Sequence, residues 1–324
     1  MQSDGEFDLI SRYFNRPAPH GMLGVGDDCA LLSPAQGCEL AVSTDMLVEG
    51  RHFFPDVDPL LLGHKALAVN LSDLAAMGAR PLACTLAISL PRIDSAWLQG
   101  FADGFHALSR ESRCPLVGGD TTGGSPGVVL SITVMGEVRR HQALRRAAAR
   151  PGDDVWVSGT LGAADVALRL VQGRLPADPT RLRAALPFLE RPMPRLALGR
   201  YLASVAHAAI DVSDGLLQDL GHVLDASACA ADLWFDALPA DPVLEGLDEA
   251  VRREALLAGG DAYELCFTAH PRRREQIETL GRQLGLPISR IGTLWRGAGI
   301  RVLDAVGNEL AIDCRGFDHF ASPG

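Results

Sequence analysis

The sequence predicts an α/β protein with mixed α+β sheets, divided into two domains. Short apolar runs alternate with longer segments of helical periodicity, which is typical of helices packed on sheets. The chain has 324 residues, enough for two hydrophobic cores. Between residues 145 and 154 a basic stretch ends in a Pro-Gly turn. This turn is the best candidate for a boundary between domains 1–148 and 149–324.

The apolar runs predict the strands, and the amphipathic runs predict the helices. Strands are expected at residues 39–44, 83–90, 128–138, 154–159, 208–212, 263–269 and 288–294. Helices are expected at residues 58–77, 94–112, 161–173, 194–206, 214–228, 242–257 and 271–284. The segment 175–195 contains five prolines, which argue against a long helix there.

Composition and charge exclude several classes of protein. The chain has 40 acidic and 30 basic residues, so a nucleic-acid partner, which needs a basic face, is not expected. No window of about 18 uncharged apolar residues predicts a membrane span, and no secretory signal precedes the first strand. The seven cysteines are scattered without a C-x-x-C pair. This usage predicts reduced thiols and a cytoplasmic location.

Five stretches of sequence share one pattern, an Asp beside Gly, Ser or Thr where a strand ends or a helix begins. They are residues 24–32, 42–53, 70–79, 116–124 and 210–217. Taken singly, each is explained as a helix cap or a turn. Asp73 is different because it lies inside a helical pattern, on one face with Lys65 and Val69. Asp45 likewise follows an alternating strand that should be half-buried.

Considered together, these acidic residues predict magnesium. Carboxylates that converge on one cleft repel each other by about 4 kcal/mol per close pair at intermediate dielectric, and a divalent cation removes that cost. Oxygen donors without paired Cys or His favour Mg²⁺ over Zn²⁺, and Mg²⁺ usually binds phosphate as well. The glycine-rich residues 118–124 predict a flexible loop that presents N–H groups to an anion. The only lysine, Lys65, is not in a P-loop.

In this order and spacing the motifs resemble one family. STDMLVEGRHF, NLSDLAAMGARP, LVGGDTT, IDVSDGL and GGDAYELCFT are similar to the motifs of thiamine-monophosphate kinases. That family belongs to the superfamily of aminoimidazole ribonucleotide synthetase, selenophosphate synthetase and a hydrogenase maturation factor. The resemblance covers nearly the whole chain. It implies a two-domain synthetase-like architecture in which the N-terminal half binds ATP and Mg²⁺ and forms the sheet or barrel of a dimer, while the C-terminal half completes the substrate site.

The resemblance also implies a reaction and a set of site residues. ATP and thiamine monophosphate would give thiamine diphosphate and ADP, with several Mg²⁺ ions per site and a homodimeric enzyme. The implied metal ligands are Asp28, Ser43, Thr44, Asp45, Asp73, Asp120, Asp211 and Asp214. The implied ATP contacts are Gly119, Asp120, Arg146 (with Arg145 as an alternative) and Ser213. The implied substrate contacts are His52, Glu264 and an aromatic residue, Phe317 in preference to Phe320.

Several alternatives remain open at this point. His52 is also explained as a surface loop residue, Glu264 as an outward-pointing residue of an edge strand, and Phe317 as packing. Asp219 is expected to be solvated. A related synthetase acting on another small acceptor would share the acidic motifs, whereas a non-catalytic Mg-nucleotide scaffold would lack the half-site of Asp211, Asp214 and Glu264. For a phosphate acceptor, whose second pKa is near 6, no general base is needed, so direct in-line transfer is expected.

Overall fold

The computed structural model describes residues 6–25 and 29–312. Its contacts divide it into two compact units. The N-terminal unit comprises the residues up to Leu74 and Ala79–His141, and the C-terminal unit comprises Ala75–Gly78 and the residues from Gln142 onward. Each unit combines helices with one main sheet, so the predicted mixed α/β class is confirmed.

The N-terminal unit is built on a four-stranded sheet of order β1-β4-β2-β3. Strands β2 and β3 are parallel, whereas β4 is antiparallel to both β1 and β2. In chain order the elements are α1 (Glu6–Leu9), a π-helical segment (Ile10–Phe14), β1 (Cys38–Val48), α2 (Pro59–Ala76), β2 (Arg80–Leu90), α3 (Ser95–Ser112), β3 (Leu116–Gly123) and β4 (Val129–Arg139).

Helices α2 and α3 approach each other closely at two glycines. A Cβ atom on Gly63 would lie 2.0 Å from the Phe101 carbonyl oxygen, and one on Gly104 would lie 1.9 Å from the Leu60 carbonyl oxygen. Neither position therefore has room for a side chain. Helix α3 begins after an N-cap, because the Asp94 carboxylate accepts hydrogen bonds from the first turn. The buried core of this unit includes Leu67, Leu71, Leu74, Phe101, Phe105, Leu130 and Ile132.

The C-terminal unit is built on a six-stranded sheet of order β10-β7-β9-β5-β8-β6. Among the described strands of this sheet, β10 and β7 form the one parallel pair. In chain order the elements are β5 (Asp154–Ser158), α4 (Ala163–Val171), α5 (Pro179–Glu190), α6 (Leu196–Leu202), β6 (Ala208–Val212), α7 (Leu216–Ser227), β7 (Cys229–Trp234), α8 (Glu249–Leu257), β8 (Glu264–Ala269), α9 (Arg274–Leu284), β9 (Ile288–Arg296) and β10 (Ile300–Leu303).

Alternate residues of the central strands pack on opposite sides of this sheet. Val155, Val157 and Ile210 belong to one apolar cluster, which also contains buried residues of α4, α7 and α8. Trp156 and Phe267 belong to a second cluster with residues of α6 and α9. Because side chains alternate along a strand, a sheet with helices on both faces buries both sets.

Four elements differ from the sequence predictions. The glycine-rich segment predicted as a loop forms β3, because β2 supplies the hydrogen-bonding partner. Strands β7 and β10 pair with each other and were not predicted. Helix α5 forms in the proline-rich segment, with Asp178 as its N-cap and Pro179 in its first turn, where proline is tolerated. Among the described helices, none is long and apolar enough to cross a membrane.

Candidate functional site

In the N-terminal unit, β1 and α2 bring three of the predicted metal ligands together. The Ser43 hydroxyl donates a 2.5 Å hydrogen bond to Oδ2 of Asp73 on α2. Two residues further along β1, the Asp45 N–H donates to Oδ1 of Asn70, one turn before Asp73. The Asn70 side chain is itself held by the Ala66 carbonyl oxygen. Asn70 was not predicted from the sequence, although it begins the NLSD motif, and it fixes the backbone that presents Asp45.

Thr44 and Asp120 lie on the other face of the same sheet. Paired residues of neighbouring strands lie on the same face of a sheet. Asp45 is paired with Ile132, which is on the buried face, whereas Asp120 is paired with Ala87, which is on the exposed face. Strand β3 is separated from β1 by three inter-strand spacings, or about 14 Å. Thr44 donates to the Ile132 carbonyl oxygen and accepts from Thr133. One ion therefore cannot be ligated directly by both Asp45 and Asp120.

Gly119 is required by the close approach of β3 to β2. A Cβ atom at this position would lie 1.8 Å from the Leu86 carbonyl oxygen, whereas one at the adjacent Gly118 would meet nothing closer than 3.7 Å. Strand β3 is an edge strand of this sheet: one side pairs with β2, and the other side has no partner among the described strands. An edge strand of this kind offers backbone N–H groups to a ligand.

His52 closes the turn that follows β1. The ring Nδ1 atom of His52 accepts a 3.0 Å hydrogen bond from the Val48 N–H. The backbone N–H of His52 donates to the Val48 carbonyl oxygen. In the neutral ring the proton is therefore on Nε2. The ring is half-buried, so it is more constrained than a surface loop histidine. Its Nε2–H group is a defined donor.

In the C-terminal unit, Asp211 and Asp214 flank the junction of β6 and α7. Asp211 is the fourth residue of β6 and is 6% exposed. Asp214 lies in the connecting turn, where its Oδ2 atom accepts from the Gln218 side chain at 3.2 Å. The turn contains Gly215, whose φ of +123° requires glycine and whose Cβ would lie 2.7 Å from the Ala258 carbonyl oxygen. The predicted strand-to-helix turn is thus present.

Asp219 is buried, contrary to the expectation that it would be solvated. Only 3% of the residue is exposed, and its Oδ2 atom accepts the N–H groups of Ser213, Asp214 and Gly215 at 3.0, 3.0 and 3.1 Å. Burial raises the pKa of Asp219 to about 7, and the nearby Asp214 charge adds to this effect, against the three N–H groups that favour the carboxylate. The side chain points back towards the turn because Asp219 lies in the first turn of α7.

A loop before β8 packs against the same turn. The Asp261 N–H donates to the Ser213 carbonyl oxygen, and the Tyr263 N–H donates to the Val212 carbonyl oxygen, both at 2.8 Å. Asp261 and Tyr263 have left-handed backbones, with φ of +59° and +49°. Such conformations are uncommon outside glycine and tend to occur at functional sites. The GGDAY motif therefore encodes a strained loop that supports the Ser213 backbone.

Glu264 begins β8, which lies between β5 and β6 and is not an edge strand. The carboxylate is buried. It accepts hydrogen bonds from the Ser158 hydroxyl at 2.5 Å and from Arg195 Nε at 2.7 Å, and a terminal nitrogen of Arg195 forms a second ion-pair contact. Gly159 makes room for it, since a Cβ there would lie 2.0 Å from Oε1. The outward-pointing alternative is therefore wrong. Sequence reasoning missed Arg195 and Ser158, which lie 69 and 106 residues away.

Arg145 and Arg146 form an exposed basic pair at the start of a short 3₁₀ helix before β5. The Ser227 hydroxyl fixes the Arg146 carbonyl oxygen at 2.6 Å. Within the described residues neither guanidinium has an ion-pair partner. Three predicted positions, Asp28, Phe317 and the alternative Phe320, lie outside the described residues.

The oxygen donors of each unit could bind Mg²⁺ if phosphate oxygens or water completed its coordination shell. Within residues 6–25 and 29–312, no group of three or more His, Cys, Asp or Glu side chains could hold a metal ion by itself. Mg²⁺ does not require such a group, because it commonly binds one or two carboxylates and completes its shell with phosphate oxygens and water. Asp45 and Asp73 in one unit, and Asp211 and Asp214 in the other, provide oxygen donors of this kind. The residues fit an ion that binds together with a phosphate.

Comparison of the sequence with known protein families identifies the class of the N-terminal unit. The family of AIR synthase related proteins, N-terminal domain, matches residues 26–138, which include β1 to β4 almost completely. The strands of the N-terminal unit therefore resemble the N-terminal domain of AIR synthase related proteins.

More similar relatives define the family within that class. The thiamine-monophosphate kinase of Salmonella typhimurium strain LT2 is 44% identical over 98% of this chain and 99% of its own length. A crystal structure of the thiamine-monophosphate kinase from Stenotrophomonas maltophilia K279a is 48% identical, with a TM-score of 0.82 over 87% of this chain and 91% of that one. AaThiL complexed with AMPPCP and TMP is 28% identical, with a TM-score of 0.77 over 89% and 90% of the two chains. The chain belongs to the thiamine-monophosphate kinase family and is a phosphotransferase.

Proposed function

We propose that this protein transfers the γ-phosphoryl group of ATP to thiamine monophosphate, giving thiamine diphosphate and ADP in a Mg²⁺-dependent reaction. The observation that carries the proposal is the 44% identity to a thiamine-monophosphate kinase over 98% of this chain. The similarity to AaThiL complexed with AMPPCP and TMP supports it, since AMPPCP is an analogue of ATP.

The proposed residue roles are those that the family resemblance implies. In the N-terminal unit, Mg²⁺ would be held by Asp28, Ser43, Thr44, Asp45, Asp73 and Asp120. In the C-terminal unit, Asp211 and Asp214 would add ligands. ATP would contact Gly119, Asp120, Arg146 and Ser213, and thiamine monophosphate would contact His52, Glu264 and Phe317. Because Asp45 and Asp120 lie on opposite faces of one sheet, the proposal requires more than one ion.

The proposed transfer is direct and in-line, without a phosphoenzyme. The acceptor is a phosphate that is largely dianionic at neutral pH, so the chain need not supply a general base. Bound Mg²⁺ would neutralise the phosphate oxygens and orient the two reactants. The exposed Arg146 guanidinium is free to contact a phosphate. The buried Glu264 carboxylate is already paired with Arg195 and Ser158, so its proposed contact with thiamine monophosphate would be made by the Glu264–Arg195 pair together.

A homodimer is part of the proposal because β1 exposes an apolar row. Leu40, Val42 and Met46 alternate along one face of β1 and are 47%, 58% and 58% exposed. An exposed apolar sheet face of this kind favours association, and the occupant proposed is a second copy of this chain in the cytoplasm. Val42→Asp should shift sedimentation towards a monomer, whereas the control Val306→Asp, at an exposed position in the C-terminal unit, should not. Identical sedimentation of the two variants would refute this surface.

The activity is tested with purified protein and a panel of acceptors. ADP formation coupled to NADH oxidation should depend on both thiamine monophosphate and Mg²⁺. Asp45→Asn should lower turnover by about 100-fold while leaving the circular dichroism spectrum unchanged, because it removes a ligand charge. Asp103→Asn, an exposed carboxylate on α3, is the control and should retain activity. ADP formation with a formylated amidine instead of thiamine monophosphate would refute the proposed acceptor. MgATP binding without turnover on any acceptor would indicate a non-catalytic scaffold.

A further inference from the structure

The turn between β6 and α7 has an unusual hydrogen-bonding arrangement. Its three consecutive N–H groups, those of Ser213, Asp214 and Gly215, all donate to one atom, Oδ2 of Asp219. The acceptor is buried, so water does not compete for these bonds. Three donors that converge on one oxygen fix the orientation of three successive peptide planes. The direction of the Ser213 and Asp214 side chains depends on those planes.

This arrangement differs from a helix cap. In a cap, a side chain outside the helix accepts the free N–H groups of the first turn. Here a carboxylate inside α7 accepts N–H groups that lie before the helix, so the bonds orient the turn more than they extend the helix. The capping box has a related reverse bond from a Glu or Gln in the first turn. The hydrogen bonds that Asp219 accepts include those from Ser213 and Asp214, the two residues of the turn with proposed ligand roles.

Other contacts of the turn fix the carbonyl side of its backbone at Ser213. The Asp261 N–H donates to the Ser213 carbonyl oxygen at 2.8 Å. A Cβ on Gly260 would lie 2.7 Å from the same carbonyl oxygen, and Gly215 packs equally closely on Ala258. Because the backbone at Ser213 is fixed through both its N–H and its C=O, the turn has little freedom to adjust if one support is lost.

We propose that Asp219 is a positioning residue for nucleotide binding, which acts by holding the Ser213–Gly215 backbone so that the Ser213 hydroxyl and the Asp214 carboxylate face a Mg²⁺-bound phosphate. The inference rests on the proposed function for the identity of that phosphate. It assigns Asp219 no contact with substrate. Residues that orient ligands indirectly in this way commonly change affinity by about 10- to 100-fold when removed.

The test measures binding directly. Titration calorimetry with AMPPCP and Mg²⁺ is performed on the whole protein without an acceptor, and thiamine monophosphate is titrated separately. Asp219→Ala should weaken nucleotide binding by about 10- to 100-fold and leave thiamine monophosphate binding within about twofold. Asp219→Asn, which retains one carbonyl oxygen as an acceptor, should recover most of the affinity. Val223→Ala, a buried truncation in the same helix, is the control for loss of packing and should bind both ligands normally.

Asp219→Glu covers the case in which Asp219→Ala does not fold. It keeps the charge and the acceptor but displaces the oxygen by one methylene, so nucleotide binding should weaken while thiamine monophosphate binding persists. Wild-type nucleotide affinity in Asp219→Ala or Asp219→Glu would overturn the proposal. Equal weakening in Val223→Ala would also overturn it, because destabilisation alone would then suffice. If the wild-type protein binds AMPPCP but does not phosphorylate thiamine monophosphate, the proposed function fails and the role of Asp219 is still decided by the variants.

Discussion

Replacement of Gly159 by alanine tests the geometry around Glu264. The new Cβ atom would lie 2.0 Å from Oε1 and 2.3 Å from Cδ of Glu264, so the carboxylate must move. Gly159 also has a φ of +61°, which alanine adopts with strain. Gly285 has the same φ of +61°, and a Cβ atom there would have no neighbour within 4 Å, so Gly285→Ala isolates the strain from the collision.

The two substitutions should differ by several kilocalories per mole. A left-handed alanine costs about 1–2 kcal/mol, and this applies to both positions. Moving Glu264 also breaks its hydrogen bond with Ser158 and its ion pair with Arg195, which is 25% exposed against 5% for the glutamate side chain. Breaking a buried pair costs about 3–5 kcal/mol. We therefore expect Gly159→Ala to lower the free energy of unfolding by about 3–5 kcal/mol more than Gly285→Ala does.

Urea unfolding followed by circular dichroism and by tryptophan fluorescence measures these differences in unfolding free energy. A third measurement combines Gly159→Ala with Glu264→Ala, which removes the group that collides. In that background the cost of Gly159→Ala should fall to the backbone strain of about 1–2 kcal/mol. If Gly159→Ala costs the same with and without the Glu264 side chain, or no more than Gly285→Ala, the steric reasoning is wrong.

Three further predictions concern the N-terminal unit and the metal. Gly119→Ala should destabilise the protein in urea and weaken ATP binding because β3 must separate from β2, whereas Gly118→Ala should be tolerated; equal effects would contradict the distances. Burial alone would raise the pKa of Glu137, but hydrogen bonds from the Ala35 N–H and Arg80 outweigh it and lower the pKa below its ordinary 4.5. The folded protein should therefore be more stable than Glu137→Gln above about pH 4.5, and the difference in unfolding free energy should vanish as the pH falls through the lowered pKa; a constant difference would refute this. Removal of divalent ions with a chelator should abolish ADP formation and added Mg²⁺ should restore it, and activity that survives chelation would exclude the metal.

The fold could be predicted where local pattern and tertiary environment agree. Strands β5 and β6 are largely apolar and are buried at every residue, because both faces of their sheet are covered. Helix α3 has both a helical period and an Asp cap. Strand β3 could not be predicted, because its glycines have low strand propensity and only the pairing with β2 makes it a strand. Helix α5 was obscured by its prolines, although Asp178 followed by Pro179 is a recognisable start signal.

The residues of the candidate site could likewise be predicted where they have a local sequence signature, but their tertiary contacts could not. The sequence predicted Asp45 on a half-buried strand, Asp73 within a helix and Asp211 before a turn, since each has a local signature. It could not predict the partners of Glu264, because Arg195 and Ser158 are brought there by the sheet and by the segment before α6. Asp219 was expected to be solvated because its reach back to Ser213 depends on the turn geometry and leaves no periodic pattern.

The glycine contacts between α2 and α3 limit how this enzyme can be made more heat-resistant. Replacing a glycine inside a helix by alanine normally raises stability by about 1 kcal/mol, and it is a common first step in engineering. At Gly63 and Gly104 the same step would push a methyl group into the opposing backbone and drive the two helices apart. Since α2 carries Asn70 and the proposed metal ligand Asp73, a routine stabilising change at this helix crossing would also displace the candidate site.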